Sequence, residues 1–134
     1  MKRTEIRDNA FKILYQKAVR GEEIDALYEA CAEAGEIAVN EKVREMVDGT
    51  LAHWDEFDGI LAKHSPSRDV SRIAKINLAI LKLALYEIKY DEGTPVNAAI
   101  SEAMSLADEY TYAEDISFIN GVLGAVADEL PQSK

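Results

Sequence analysis

Apolar side chains recur at steps of three and four along almost the whole chain, and the strict alternation of a half-buried strand is nearly absent. That pattern predicts helices joined by short connections. In the first, Ile6, Ala10, Ile13, Leu14 and Ala18 share one face, with Thr4 as candidate N-cap and Gly21 as the stop. The second, around "EIDALYEACAEA", turns Ile24, Leu27, Tyr28 and Cys31 inward and stops at Gly35. Asn40 caps a longer third helix carrying Val43, Val47, Leu51, Trp54, Phe57 and Leu61, which ends before Pro66, since proline disfavours helical geometry at Ser65. Behind Ser71 as cap, Ile73, Ile76, Ile80, Leu81, Leu83, Ala84, Leu85 and Ile88 make a helix apolar on nearly every side, the expected centre of the fold. Gly93 then ends one helix, Thr94 caps the next, and Pro95 fits its first turn. A final helix begins near Asp115 or Ser117 and ends before Pro131. The pattern describes an all-α domain of six or so helices, with disorder expected only at the ends, "MKR" and "PQSK".

Composition narrows the classes. The chain has 134 residues, 48% of them hydrophobic and 30% charged, an ordinary globular balance of one-domain size. Its most apolar window, "IAKINLAILKLALYEIKY", is broken by Lys75, Asn77, Lys82 and Glu87, and no apolar segment follows Lys2 and Arg3, so neither membrane spanning nor export is expected. The single cysteine, Cys31, cannot close an intramolecular disulfide, which fits a reducing cytoplasm. A net charge of −10 argues against a polyphosphate partner until its distribution is read. Residues 1–20 carry six basic groups against two acidic ones, whereas the rest of the chain carries 9 against 23. A basic end on an acidic body orients a molecule toward anions.

Catalytic chemistry finds little support. His53 and His64 lie in no HExxH or ExxH arrangement and read as surface or helix-end histidines, no glycine-rich phosphate loop occurs, and Cys31 has no neighbouring histidine in sequence. No catalytic residue, metal ligand or cofactor is therefore assigned. Two polar interruptions stand out. Glu87, in "LALYEIKY", either points out at a rim or is buried with hydrogen-bond partners. Asn120-Gly121, a pair common in tight turns, sits within the helical spacing of Ile116, Ile119 and Leu123; the expectation is a packing device, an interior satisfied amide beside a glycine that admits a neighbouring helix, with direct ligand contact as the lesser alternative.

The segments "RDNAFKILYQ", "RIAKINLAILKLALYEI", "VNAAISEAMSLADEY" and "FINGVLGAVADEL" resemble, in order and spacing, the NusB family of bacterial transcription antitermination factors. The resemblance covers most of residues 3–130 and is tightest from Arg72 onward. It implies about six to seven helices in two small packed bundles, 1–65 and 66–134, and no enzymatic activity. It also implies binding to boxA-type single-stranded RNA of ribosomal RNA leader transcripts, together with the ribosomal protein NusE, within the RNA polymerase antitermination complex. The family's RNA contacts fall here on Arg3, Arg7, Asp115 and Phe118, with Lys2 adding charge, and its partner surface on Tyr15, Asn77 and Glu87. Arg3 and Arg7 are one helical turn apart and suit phosphates, while Phe118 reads either as a stacking platform for an unpaired base or as a core anchor. Thr4 and Glu5 interrupt the basic run that the family often carries, and Asn77 stands where a charged residue is common. The resemblance leaves monomer and homodimer both open. The rival readings are an all-helical protein-interaction module with an idle basic end, and an enzyme whose site is assembled from dispersed carboxylates.

Overall fold

Two glycines in the left-handed region close the first two helices. Gly21 (φ 69°) ends α1 (Arg3–Arg20) and Gly35 (φ 74°) ends α2 (Ile24–Ala34), their N–H groups donating to the carbonyls of Lys17 and Cys31. A residue with a side chain would be strained at either position. The computed structural model describes residues 1–65 and 69–130, and the chain divides into two compact units, Met1–Ala52 and His53–Lys134.

In the first unit α1 packs on α2 and on α3 (Glu41–Ala52). Ala10, Phe11, Ile13 and Leu14 of α1, Leu27 of α2, and Val43 and Val47 of α3 are buried, as their spacing predicts. Asn40 caps α3 by accepting the Val43 N–H at 2.9 Å. Asn9 stitches the α2–α3 connection to α1, because its Oδ1 accepts the Ala38 N–H at 3.2 Å. The Tyr28 hydroxyl donates to Asp48 at 2.6 Å with Arg44 over its ring; burial first, and then the Asp48 carboxylate, push its ionisation far up. The amino end is not disordered as expected. Arg3 is already helical, and Lys2 is the N-cap residue in place of Thr4.

The second unit is built around α5 (Lys75–Tyr90), which packs against α6 (Val96–Tyr110), α7 (Ala113–Asp128) and α4 (Trp54–His64). Every residue from Ala79 to Leu85 is buried, so the prediction of a surrounded central helix holds. Glu129, just past α7, accepts from His64 at 3.1 Å and Lys63 at 3.2 Å and so ties the last turn of α4 to the end of α7.

Several boundaries differ from the sequence pattern. The expected long third helix is two helices, α3 and α4, separated by His53 at φ −115°, ψ 14°. The apolar stripe runs through the break in phase, which is why periodicity does not show it. The division between units falls there, not at 65/66, because α4 packs on α5 and α7. Ser71 lies in a 3₁₀ turn (Val70–Arg72), and Ala74 precedes α5 without a side-chain cap. Pro95 precedes α6 and is not in its first turn; Thr94 gives its hydroxyl to Asp91 at 3.1 Å instead of capping the helix. Pro66 and the "PQSK" end lie outside the described residues.

The packing role of Asn120-Gly121 is overturned. With Ile119, Val122, Leu123 and Val126 buried, helical geometry turns Asn120 and Gly121 outward, and both are exposed. A Cβ built on Gly121 meets nothing within 4 Å. Gly121 has helical backbone, so Gly121→Ala is expected to stabilise the protein by about 0.5–1 kcal/mol through reduced unfolded-state freedom. Chemical denaturation checks this, and a loss of stability would restore a packing role.

Candidate nucleic-acid interface

The residues expected to hold RNA divide between the two units. On the first, Lys2 precedes α1 and Arg3 opens it, and both side chains are exposed. Arg7, one turn further on, is only 3% exposed, so α1 offers its first turn and not its second to a phosphate. On the second unit, Asp115 and Phe118 are half-buried on the first two turns of α7. Their helix is anchored by the buried stripe beneath, so their directions are fixed before any ligand arrives. Asp115 in a first turn also suits the positive end of the helix dipole. The two histidines do sit at helix ends, immediately before α4 and at its last residue.

The expected partner residues are placed less uniformly. Tyr15 is exposed on α1, its ring stacked on Phe11 with centroids 6.3 Å apart. Glu87, of the two readings open from sequence, takes the buried one at 1% exposure, and it is engaged. Asn77 is wholly buried, and neither its Nδ2 nor its Oδ1 has a hydrogen-bond partner among the described residues. Such an orphaned amide costs about 1–3 kcal/mol.

Sequence reasoning missed a charged centre within the second unit. Lys82 is 1% exposed on α5. Its ammonium donates to the Trp54 carbonyl at 2.8 Å and to Asp58 Oδ1 at 2.6 Å, and it lies 4.3 Å from the centroid of the Trp54 ring. Burial pulls its pKa down, while Asp58 and, more weakly, Asp55 oppose that. The signal was present: a lysine on a helix apolar all round must bury its charge, and two aspartates flank the aromatic stripe of α4. Next to it, Tyr90 stacks on His53 at 3.9 Å and gives its hydroxyl to Glu56 at 2.5 Å. That bond, joined by His53 and Lys89, holds the Glu56 carboxyl below its usual range.

These groups serve architecture. Among the described residues no three His, Cys, Asp or Glu side chains are grouped to hold a metal, and burial raises the Cys31 thiol pKa, which leaves it a poor nucleophile. An open groove on the first unit is lined by Asp25, Tyr28, Glu29, Ala32, Glu33 and Arg44, an acidic surface that repels phosphate. No described helix is long and apolar enough to cross a membrane.

The family model described as NusB family matches residues 4–128. Transcription antitermination protein NusB of Bacillus subtilis is 36% identical, over 99% of this chain and all of that one. The protein of the same name from Acetivibrio thermocellus is 35% identical, over 94% of this chain and 88% of that one. A chain from a crystal structure of antitermination factors NusB and NusE with double-stranded RNA superposes with a TM-score of 0.83 at 25% identity, covering 96% of this chain and 97% of that one.

The geometry at Lys82 makes its two partners unequal. The Asp58 side chain is 47% exposed and can be rehydrated, whereas the ammonium cannot. Asp58→Ala is therefore expected to cost about 3 kcal/mol at pH 7, and Lys82→Met within about 1 kcal/mol, by urea denaturation. The Asp58→Ala deficit should shrink as pH rises toward the ordinary 10.5 of lysine. A lysine whose folded pKa is depressed loses its proton first in the native state, so rising pH favours folding in that window. Equal costs for the two variants would contradict the assignment.

Proposed function

The chain belongs to the NusB family, and from that premise we propose that it is a bacterial, cytoplasmic transcription antitermination factor acting as an adaptor and not as a catalyst. It binds boxA-type RNA of ribosomal RNA leader transcripts together with the ribosomal protein NusE, and so presents both to the RNA polymerase antitermination complex. The observation that carries the reading is the family match over residues 4–128, whose relative of known structure was crystallised with NusE and RNA.

The division of labour follows from exposure. Lys2 and Arg3 supply phosphate contacts, and Asp115 and Phe118 supply contacts to unpaired bases. Arg7 is buried, so its contribution is to hold the amino-terminal helix in place. Of the residues assigned to NusE, Tyr15 on the first unit is exposed and able to touch the partner, while Asn77 and Glu87 are buried within the second unit and support its own surface. With a body this acidic, affinity for RNA alone is modest and rises with the ribosomal partner present, because most of the surface opposes a polyanion.

An RNA titration in rising salt tests this, run with and without the ribosomal protein. Lys2→Ala with Arg3→Ala is expected to weaken every RNA and to flatten the log–log salt slope by roughly 1 to 1.5, two lost phosphate contacts at about 0.7 each on a single strand. Phe118→Ala should cost most on the preferred single-stranded sequence and least on a duplex control. A salt-independent response with the partner present would instead support the second reading, a protein-interaction module, which the acidic groove on the first unit favours.

A further inference from the structure

The most exposed large apolar side chain among the described residues is Tyr112, at 82%. Single exposed aromatics are ordinary, so exposure alone decides nothing. Its position does more. Tyr112 is the N-cap residue of α7, in extended backbone, and its carbonyl accepts the N–H groups of both Asp115, at 2.9 Å, and Ile116, at 3.0 Å. The ring therefore hangs from a fixed post and has only two side-chain torsions to lose on binding. No hydrogen bond or ring contact ties it to any described residue.

Asp115 and Phe118 are three residues apart on the first two turns of α7, and Tyr112 stands three residues before Asp115 at the N-cap of the same helix. The backbone positions that carry the two rings are about 9 Å apart along the axis, six residues at roughly 1.5 Å each. That is too far for both to sandwich one base, so each can take its own. The carboxylate between them disfavours a phosphate at that point and favours a base edge that donates a hydrogen bond.

We propose that Tyr112 is a second base-stacking platform, which takes an unpaired nucleotide neighbouring the one held at Phe118, so that the first two turns of α7 bind a splayed pair of RNA bases and not a duplex. The inference rests on the RNA-binding reading above and adds to it a residue and a second unpaired base.

The test uses the full chain with the ribosomal protein and a boxA-type single strand carrying 2-aminopurine at successive positions. Tyr112→Ala should weaken binding by about 5- to 150-fold, the range for losing one stacked base, and Tyr112→Phe by less than about twofold, because the ring and not the hydroxyl does the binding. Fluorescence quenching should vanish at one position in Tyr112→Ala and at a nearby one in Phe118→Ala. The thermal midpoint of Tyr112→Ala should match that of the parent, since the side chain is in solvent. If the parent binds RNA while Tyr112→Ala binds it equally well with unchanged quenching, the inference fails and the RNA-binding reading stands. If the parent binds no RNA, that reading fails with it. If Tyr112→Ala weakens capture of the ribosomal protein in the absence of RNA, the ring belongs to a protein contact and the inference is overturned.

Discussion

A helix buried on every side admits a charge only if the fold brings that charge a counterion, and the second unit is organised around this constraint. Lys82 lies in the run of α5 from which water is excluded, and Asp58, the Trp54 carbonyl and the Trp54 ring close around its ammonium. Each partner comes from α4. The ion pair thus specifies which face of α4 meets α5, a selection that apolar contact alone makes weakly because hydrophobic surfaces are not directional. With α4 docked, His53 stacks on Tyr90, and His64 and Lys63 hold Glu129 beyond the end of α7. The helix that carries Tyr112, Asp115 and Phe118 is in this way fixed at both its buried stripe and its far end.

The same periodicity that buries one face of α7 decides what the other face presents. Ile119, Val122, Leu123 and Val126 point inward, which leaves Ser117, Asn120 and Gly121 exposed beside Phe118. A surface of small and polar groups next to an aromatic ring suits close approach of a flat base and its sugar. The rest of the chain is acidic, and the groove lined by Asp25, Glu29 and Glu33 shows how far that extends. Repulsion over most of the surface confines a polyanion to the few places that attract it, which is selectivity obtained through charge distribution.

Helix type and the buried faces were legible in the sequence because the 3.6-residue period is strong and the glycine stops at Gly21 and Gly35 are chemically unambiguous. The break at His53 was not legible, since one residue of altered backbone leaves the apolar stripe in phase. Cap assignments at Ser71 and Thr94 failed because Asp91 and a 3₁₀ turn competed for the same backbone groups. Asn120-Gly121 was misread for a different reason. Composition says that the pair is costly in a helix, but only the rotation of α7 says which side it faces. Of the site residues, Lys2, Arg3 and Tyr15 are on the surface, as a binding role requires, whereas the burial of Arg7 and Asn77 depends on tertiary packing that no local pattern encodes.

On the proposed reading, RNA meets this protein at two places of attractive chemistry, the amino end of α1 and the first turns of α7. Amide chemical shifts of the ¹⁵N-labelled chain, recorded with the ribosomal protein as an unlabelled single strand is added, test it most directly. RNA-dependent shifts are expected at residues 1–6 and 112–121 and none along Asp25, Glu29 and Glu33. Shifts confined to that acidic groove, or RNA bound without change at either predicted segment, would contradict it.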